Sequence, residues 1–212
     1  KFITPLVHII NLSLQKGIFP QELKLANVKP LFKAAENYFF NNYRPVSLLA
    51  TLSKVFEKIY YARLLNFLMK YGILYKYQFG FRENHSTSMA LLLLMDKITL
   101  AYENNENVLR VFLDFSKAFD TVDHTILLNK LYFYGIRGVA NDWLKSYLSD
   151  LEQYVTYNNV PSSNKKITCG VPQGSILGPL LFLIYINDLY CVSERLFTLI
   201  HADDTNVRTK VF

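Results

Sequence analysis

Apolar residues recur at intervals of three and four in several segments of the chain, and this spacing predicts amphipathic helices. The clearest is a long helix over 48–70, which the hydroxyl of Ser47 would cap at its N-terminus. A second helix is predicted to run to about residue 103, capped by Ser86 or Thr87, with the apolar run 90–95 buried. Shorter helices are predicted over 6–15, 125–134, 140–148 and 176–189.

Two apolar runs with strong strand preference lead into carboxylates. The run 111–113 ends at Asp114, and the run 196–200 is followed shortly by Asp203 and Asp204 at a tight turn. If these two buried strands lay side by side, three carboxylates would converge, and like charges held close together favour a bound cation. Two Mg²⁺ ions about 3.5–4 Å apart are a known solution for phosphoryl transfer.

In other segments apolar and polar residues alternate, which is typical of strands. A strand is predicted over 25–33, where Pro30 restricts it to a sheet edge or a strand end. A hairpin is predicted from 153–157 and 165–169, with its turn at 161–164, and 205–212 can pair back onto the second acidic strand. The segment 75–82 interleaves aromatic, basic and amide side chains, which suits either contact with a nucleic acid strand or an aromatic core face.

Composition narrows the class of protein. The 212 residues are 51% apolar, which is typical of a folded globular protein, and the formal net charge of +6 favours a polyanionic partner. A basic protein without such a partner is the alternative. No stretch is long and apolar enough to predict a membrane span. Cys169 and Cys191 are the only cysteines, so we expect a reducing intracellular compartment, nucleus or cytoplasm, with both thiols in the core rather than in a disulfide.

Five motifs follow one another in an informative order along the chain. They are Asn42-Tyr43-Arg44-Pro45-Val46-Ser47-Leu48, Gln78-Phe79-Gly80-Phe81-Arg82, Phe112-Leu113-Asp114-Phe115-Ser116-Lys117-Ala118-Phe119-Asp120, Gly170-Val171-Pro172-Gln173-Gly174-Ser175 and Ala202-Asp203-Asp204. Each is weak alone, but in this order they make the chain resemble the reverse transcriptase domain of a non-LTR (LINE-like) retrotransposon over nearly its whole length.

The resemblance implies an α+β right-hand polymerase fold. Residues 1–105 would form mainly the fingers and 106–212 mainly a split βαβ palm, truncated after the Asp-Asp turn and without a thumb. The implied function is RNA-directed DNA polymerase, which adds dNTPs to a primer 3′-end. The implied cofactors are two Mg²⁺ ions, or Mn²⁺ in their place, and the partners are an RNA template, a DNA primer and dNTPs, with no membrane.

By the same resemblance, Asp114, Asp203 and Asp204 are the catalytic acids. Asp114 and Asp203 would bind both metal ions, with Asp204 beside them and the backbone carbonyl of Phe115 completing a metal shell. His201 departs from the family, which usually has an aromatic residue before the Ala-Asp-Asp sequence. Together with the expected truncation, this leaves open a remnant that binds nucleic acid without turnover.

The resemblance also implies residues that contact the nucleotide and the template. Lys33, Arg44, Phe119, Gln173 and Gly174 would bind the incoming nucleotide, with Phe119 as a steric gate against the 2′-hydroxyl. Gln78, Phe79, Gly80 and Arg82 would contact the template.

Simpler roles remain open for some of these residues. Phe119 is a core residue in the alternative interpretation, and Asp120 and Asp123 are equally well explained as turn residues. A two-metal nuclease is a further alternative, although hydrolysis has no need of a gate such as Phe119.

Overall fold

A computed structural model describes residues 3–33, 36 and 38–210 of the chain. Its helices are α1 (Ile3–Lys16), α2 (Thr51–Lys70), α3 (Thr87–Glu103), α4 (His124–Phe133), α5 (Val139–Leu148) and α6 (Leu177–Ile186). Its strands are β1 (Leu25–Phe32), β2 (Tyr43–Leu48), β3 (Val108–Asp114), β4 (Glu152–Tyr157), β5 (Val160–Pro161), β6 (Lys165–Lys166), β7 (Phe197–His201) and β8 (Asp204–Lys210).

The chain forms two compact units, and each unit is built from two separate stretches of sequence. The first unit comprises Lys1–Leu65 and Phe119–Leu181, and the second comprises Asn66–Ala118 and Phe182–Phe212. The division into mainly fingers and mainly palm near residue 105 stays a prediction.

The sheet of the first unit has β1 at its centre. Strand β2 pairs with β1 in antiparallel register and β4 pairs with it in parallel register, while β5 and β6 pair with β4. The parallel pairing covers only the first half of β1, from Leu25 to Val28. Pro30 therefore lies beyond the parallel ladder but inside β1, opposite Pro45 of β2, where β1 is paired on one side as an edge strand is.

Aromatic packing fills the core of the first unit around Trp143 of α5. The Trp143 ring is fully buried and lies between the parallel rings of Tyr60 and Tyr147, with the ring of Phe19 packed edge-on against it. Its indole N–H donates to Ser13 Oγ at 3.0 Å, so the buried polar atom of the largest side chain is satisfied. Through these contacts α1, α2 and α5 form one core.

The second unit contains an antiparallel sheet in the order β3-β8-β7. Strands β7 and β8 form the predicted hairpin, but its two turn residues are Ala202 and Asp203 instead of Asp203 and Asp204, because Asp204 pairs with His201 as the first residue of β8. Helix α3 begins where Ser86 Oγ accepts a hydrogen bond from Met89 N at 3.2 Å, which confirms the predicted cap. The last two residues of the predicted return strand lie outside the described residues.

Three local predictions, of a helix cap, a buried run and a turn, are wrong. Ser47 caps no helix, because it is buried in β2 opposite Val28, and α2 begins only at Thr51. The run 90–95 of α3 is not buried as a whole, since Leu91 and Leu92 are exposed beside a buried Ala90. The turn after β4 falls at 158–159 instead of 161–164.

Two further expectations about burial are also wrong. Strand β3 is mostly exposed along its apolar run, with Val111 43% and Phe112 72% exposed, so side chains on both of its faces are left uncovered. Cys169 and Cys191 are both free and exposed instead of lying in the core. Among the described residues, no helix has the length and apolar character needed to span a membrane.

Candidate polymerase active site

The β3-β8-β7 sheet of the second unit brings two of the three predicted catalytic acids, Asp114 and Asp204, into one row. In the β3–β8 ladder Asp114 pairs with Asp204, and in the β7–β8 ladder Asp204 pairs with His201. Cross-strand partners point to the same face of a sheet, so these three side chains share a face. Asp203 occupies the turn immediately before Asp204, half-buried, whereas Asp114 and Asp204 are exposed.

The composition of this row suits a hard divalent cation, because Mg²⁺ prefers carboxylate and carbonyl oxygens. Asp114 and Asp204 are paired across two strands, and Phe115 follows Asp114 directly with its side chain exposed. Within the described part of the chain, no three acidic, histidine or cysteine side chains form a group that could hold a metal ion. The backbone therefore aligns the predicted ligands, while their side chains are not gathered into a closed cluster.

A buried amide holds the turn that carries the acids. Gln78 is 3% exposed, and its Oε1 accepts hydrogen bonds from Gly80 N at 2.8 Å and from Ala202 N at 3.1 Å. The segment around Gln78 also pairs with β7, because Phe79 N donates to Ile200 O at 2.7 Å and Ile200 N donates to the carbonyl of Tyr77 at 3.0 Å.

The four residues predicted to contact the template lie in this same segment. Gln78, Phe79 and Gly80 are buried, and Arg82 is half-buried. One guanidinium nitrogen of Arg82 donates to the carbonyls of Tyr75 and Gln78, at 2.9 and 3.2 Å. Burial lowers the pKa of the Arg82 guanidinium. The segment is therefore fixed by its own side chains, and Arg82 is the one of the four with a part-exposed charge.

In the first unit, the predicted nucleotide residue Gln173 is held on both sides. Its side-chain Nε2 donates to Asp120 Oδ1 at 2.9 Å, and its backbone carbonyl accepts from Ser47 N at 2.7 Å. A Cβ on Gly174, whose φ is +126°, would lie 2.5 Å from the Ser47 carbonyl, so only glycine fits there. A cavity of about 350 Å³ borders Ser47, Asp120 and Gln173.

The remaining predicted nucleotide residues also belong to the first unit. Arg44 is exposed on β2, and Lys33 is exposed just after β1, where its backbone N–H donates to the carbonyl of Asn42. Phe119 is half-buried, and its carbonyl accepts from Val171 N at 2.9 Å. A Cβ on Gly170, with φ +86°, would lie 2.7 Å from the carbonyl oxygen of Asp120. The chain after Phe119 is thus packed against the loop that carries Gln173.

Sequence reasoning missed the part played by Glu57. This fully buried carboxylate accepts hydrogen bonds from Ile176 N at 2.6 Å and Leu177 N at 3.2 Å, and from Ser53 Oγ at 3.0 Å. It therefore caps the N-terminus of α6, directly after the Gln173 loop. Burial raises the pKa of Glu57, although these hydrogen bonds oppose the rise.

A sequence signal for Glu57 did exist. Glu57 follows Ser53 by four residues and precedes Tyr60 and Leu64 at helical spacing, so it lies on the apolar stripe of α2. Sequence reasoning also missed the hydrogen bond between Asp120 and Gln173. This bond joins two motifs that are distant in sequence, and no local pattern indicates such a contact.

Comparison with solved structures identifies the class of fold. The chain is similar to apo telomerase from Candida tropicalis, with a TM-score of 0.60, 12% identity, and coverage of 97% of this chain and 44% of that chain. It is also similar to telomerase from Candida albicans in complex with a fragment of telomeric RNA, with a TM-score of 0.59 and 12% identity over 96% of this chain and 42% of that one. The predicted α+β right-hand polymerase fold is confirmed at the level of fold.

Sequence comparison then gives the family. The model of the reverse transcriptase (RNA-dependent DNA polymerase) family matches residues 33–210, and the chain belongs to this family. The predicted resemblance to the non-LTR reverse transcriptases is confirmed by its relatives.

Two relatives from Drosophila melanogaster illustrate the relationship. One is a probable RNA-directed DNA polymerase from transposon BS, 36% identical over 86% of this chain and 20% of the relative. Another is the RNA-directed DNA polymerase from mobile element jockey, 34% identical over 95% of this chain and 23% of the relative. The chain spans about a fifth of the length of the curated relatives it matches.

Proposed function

We propose that this chain is the catalytic region of an RNA-directed DNA polymerase, which extends a DNA primer on an RNA template with dNTPs. The observation that carries the proposal is the register of the β3–β8–β7 sheet, which sets Asp114 opposite Asp204 with Asp203 next to it in the turn. Family membership supports the same reaction. The alternative is a protein that binds nucleic acid without turnover.

In this proposal, two Mg²⁺ ions are held by carboxylate oxygens of Asp114 and Asp203, with Asp204 and the Phe115 carbonyl beside them. Bound divalent ions would activate the primer 3′-hydroxyl and neutralise charge on the leaving pyrophosphate. The protein contributes position, because Asp114 stands at the end of a paired strand and Asp203 in a tight two-residue turn.

The first unit would supply the contacts to the nucleotide. Exposed Arg44 and Lys33 provide cationic groups for the triphosphate, and arginine can bind phosphate through two parallel hydrogen bonds. Gln173 would contact the incoming nucleotide with its amide oriented by Asp120, and Gly174 would leave room for it. Phe119 would exclude ribonucleotides by its bulk.

The template role of Gln78, Phe79, Gly80 and Arg82 stays a prediction. Of these, Arg82 is the best placed to attract a phosphate, because part of its guanidinium is exposed. The net charge of +6 is consistent with a nucleic acid partner.

Primer extension tests the function directly. The assay uses a DNA primer on an RNA template, with dNTPs and Mg²⁺, and compares the wild-type chain with Asp203→Asn. We expect extension by the wild type and none by the variant, because the amide is neutral and a poorer Mg²⁺ ligand than the carboxylate. The matched control is Asp96→Asn, which neutralises an exposed acid on α3 of the same unit and should leave extension unchanged.

The other outcomes are equally clear. Extension by Asp203→Asn at the wild-type rate would overturn the metal assignment. Salt-sensitive binding of primer–template without extension by the wild-type chain would favour nucleic acid binding without turnover.

A further inference from the structure

The turn between β7 and β8 depends on a neighbour that lies outside the hairpin. Ala202, the first turn residue, has φ +58°, in the left-handed region that favours glycine. A positive φ at the first turn residue alone is the pattern of a type II′ turn, which normally has glycine at that position. The acids therefore follow a residue whose conformation is strained and must be held by other contacts.

The buried amide of Gln78 supplies one such contact. Its Oε1 accepts from Ala202 N at 3.1 Å and from Gly80 N at 2.8 Å, so a single oxygen joins the motif segment to the turn. Its Nε2 is buried and has no hydrogen-bond partner among the described residues. An unpaired buried donor lowers stability, so a glutamine retained here for its oxygen alone carries a cost in stability.

The backbone of Gly80 supplies the other contact. A Cβ added to Gly80 would collide with Ala202 N and would lie 2.7 Å from Ala202 Cα. The φ of Gly80 is not in the left-handed region, so glycine is needed here for the close approach and not for its own conformation. The two backbones are thus in direct contact at the residue before Asp203.

We propose that Gln78 and Gly80 are positioning residues for the catalytic acids: they fix the Ala202–Asp203 turn and thereby the carboxylates of Asp203 and Asp204. This inference rests on the proposed polymerase function. Two of the predicted template residues, Gln78 and Gly80, would then have a second role, which is to hold the proposed metal ligands in place.

Substitutions at these residues can distinguish an effect on the position of the acids from a general loss of stability. Gln78→Leu removes the acceptor oxygen and fills the buried site with an apolar side chain of similar size. Gln78→Glu keeps an acceptor oxygen at the same place. Gly80→Ala displaces the turn while Gln78 remains. The matched control is Asn187→Leu, because Asn187 is a buried amide of the same unit whose side chain accepts from Tyr75 N and donates to Ile73 O, and neither of these partners belongs to the turn.

Amide hydrogen exchange, measured by NMR on the metal-free 212-residue chain, tests the contact without reference to activity. We expect the Ala202 amide to be protected in the wild type, in Gln78→Glu and in Asn187→Leu, and to lose about tenfold or more of that protection in Gln78→Leu. Unchanged protection of Ala202 in Gln78→Leu would overturn the proposed contact.

Kinetics then test the consequence for the acids. In Gln78→Leu and Gly80→Ala we expect kcat to fall about 10- to 100-fold, with KM for dNTP unchanged and a higher Mg²⁺ concentration needed for half-maximal rate. Gln78→Glu should recover much of the lost rate, and Asn187→Leu should lower thermal stability without this kinetic pattern.

Equal kinetic losses in Gln78→Leu and Asn187→Leu would reduce Gln78 to a structural residue and overturn its positioning role. If the wild-type chain extends no primer, the polymerase proposal fails, while hydrogen exchange still decides whether Gln78 holds the turn.

Discussion

Asp114 and Asp204 lie directly opposite each other in the antiparallel register of β3 and β8. Two carboxylates in this relationship repel one another, and like charges opposite each other in a sheet lower its stability. A protein that needed this sheet only for its fold would gain by replacing one of them. The pair is therefore the feature of the second unit that is best explained by a bound cation.

Neutralising one member of the pair should stabilise the metal-free chain. For Asp204→Asn we expect the free energy of unfolding in a chelating buffer to rise by about 0.2–1 kcal/mol, because the cross-strand repulsion is removed. Thermal unfolding with and without Mg²⁺ measures this effect. Mg²⁺ should raise the Tm of the wild type more than that of the variant, since only the wild type retains the full set of carboxylates.

Asp96→Asn serves as the control for this stability measurement, because Asp96 is exposed on α3 and is not part of the row. A loss of stability in metal-free Asp204→Asn would contradict the interpretation of the pair as a repulsive contact.

Replacing Phe119 with valine should weaken the discrimination against ribonucleotides. Phe119 is half-buried and its backbone is fixed by Val171 N, so shortening the ring opens space without moving the chain. We expect incorporation of ribonucleotides relative to deoxynucleotides to rise about tenfold, the effect of relieving about 1.4 kcal/mol of clash. Single-nucleotide extension with matched rNTP and dNTP measures the ratio of kcat/KM.

Tyr60→Phe is a suitable control for the gate experiment. It alters an aromatic residue in the core of the same unit, where the hydroxyl donates to the carbonyl of Ala140, and it should leave sugar choice unchanged. Continued exclusion of ribonucleotides by Phe119→Val would indicate that Phe119 is a core residue.

Binding of primer–template should weaken steeply with salt, because cationic side chains displace counterions from phosphates. Arg82→Ala should lower the affinity and reduce the slope of log K against log salt by about 1, the value for one lost phosphate contact, because Arg82 is the part-exposed cation of the predicted template segment. Fluorescence anisotropy over a range of KCl concentrations measures the slope, and Arg44→Ala, whose proposed partner is the nucleotide triphosphate, should leave it unchanged without dNTP. An unchanged slope in Arg82→Ala would remove Arg82 from the set of phosphate contacts.

Glu57 should make the stability of the first unit depend on pH. Burial raises its pKa, so the folded state takes up a proton at a higher pH than the unfolded chain does. The resulting stabilisation is absent above the raised pKa, grows as the pH falls through it, and is complete below the ordinary value of about 4.3. Glu57→Gln cannot titrate, so the stability of the wild type relative to this variant should increase as the pH falls through the raised pKa toward the ordinary glutamate value of about 4.3.

Urea unfolding at several pH values measures this difference in the free energy of unfolding. The contributions of the other carboxyl groups cancel, because the wild type and the variant both contain them. A difference that stays constant over this range would show that Glu57 does not titrate there. Glu57→Leu should be less stable than Glu57→Gln at every pH, because it leaves Ile176 N and Leu177 N without their acceptor.

Several parts of the fold could be predicted because their causes are local. The spacing of apolar residues predicted helices α1 to α6 to within a few residues, apart from the late start of α2, and Ser86 identified the beginning of α3. The short apolar strand before Asp203 and the polar strand after it predicted the β7–β8 hairpin. Such features depend on neighbours within one turn or one hairpin.

Other features were decided by residues far apart in sequence. Ser47 had every local sign of a helix cap, yet the pairing of β2 with β1 and the hydrogen bond to Gln173 O place it in a strand. The sequence predicted that the two acidic strands would be neighbours, but β8 lies between them, so Asp114 faces Asp204.

By itself, the sequence determined the family and the hairpin that carries Asp203 and Asp204, because those depend on motif order and local spacing, while the catalytic role of the acids stays a prediction. Only the tertiary structure decided how the acids are held. The Gln78 contact to Ala202 joins residues 124 positions apart, and the Glu57 contact to Ile176 joins residues 119 apart. Such contacts arise from the way that strands and helices pack, and no periodicity along the chain encodes them.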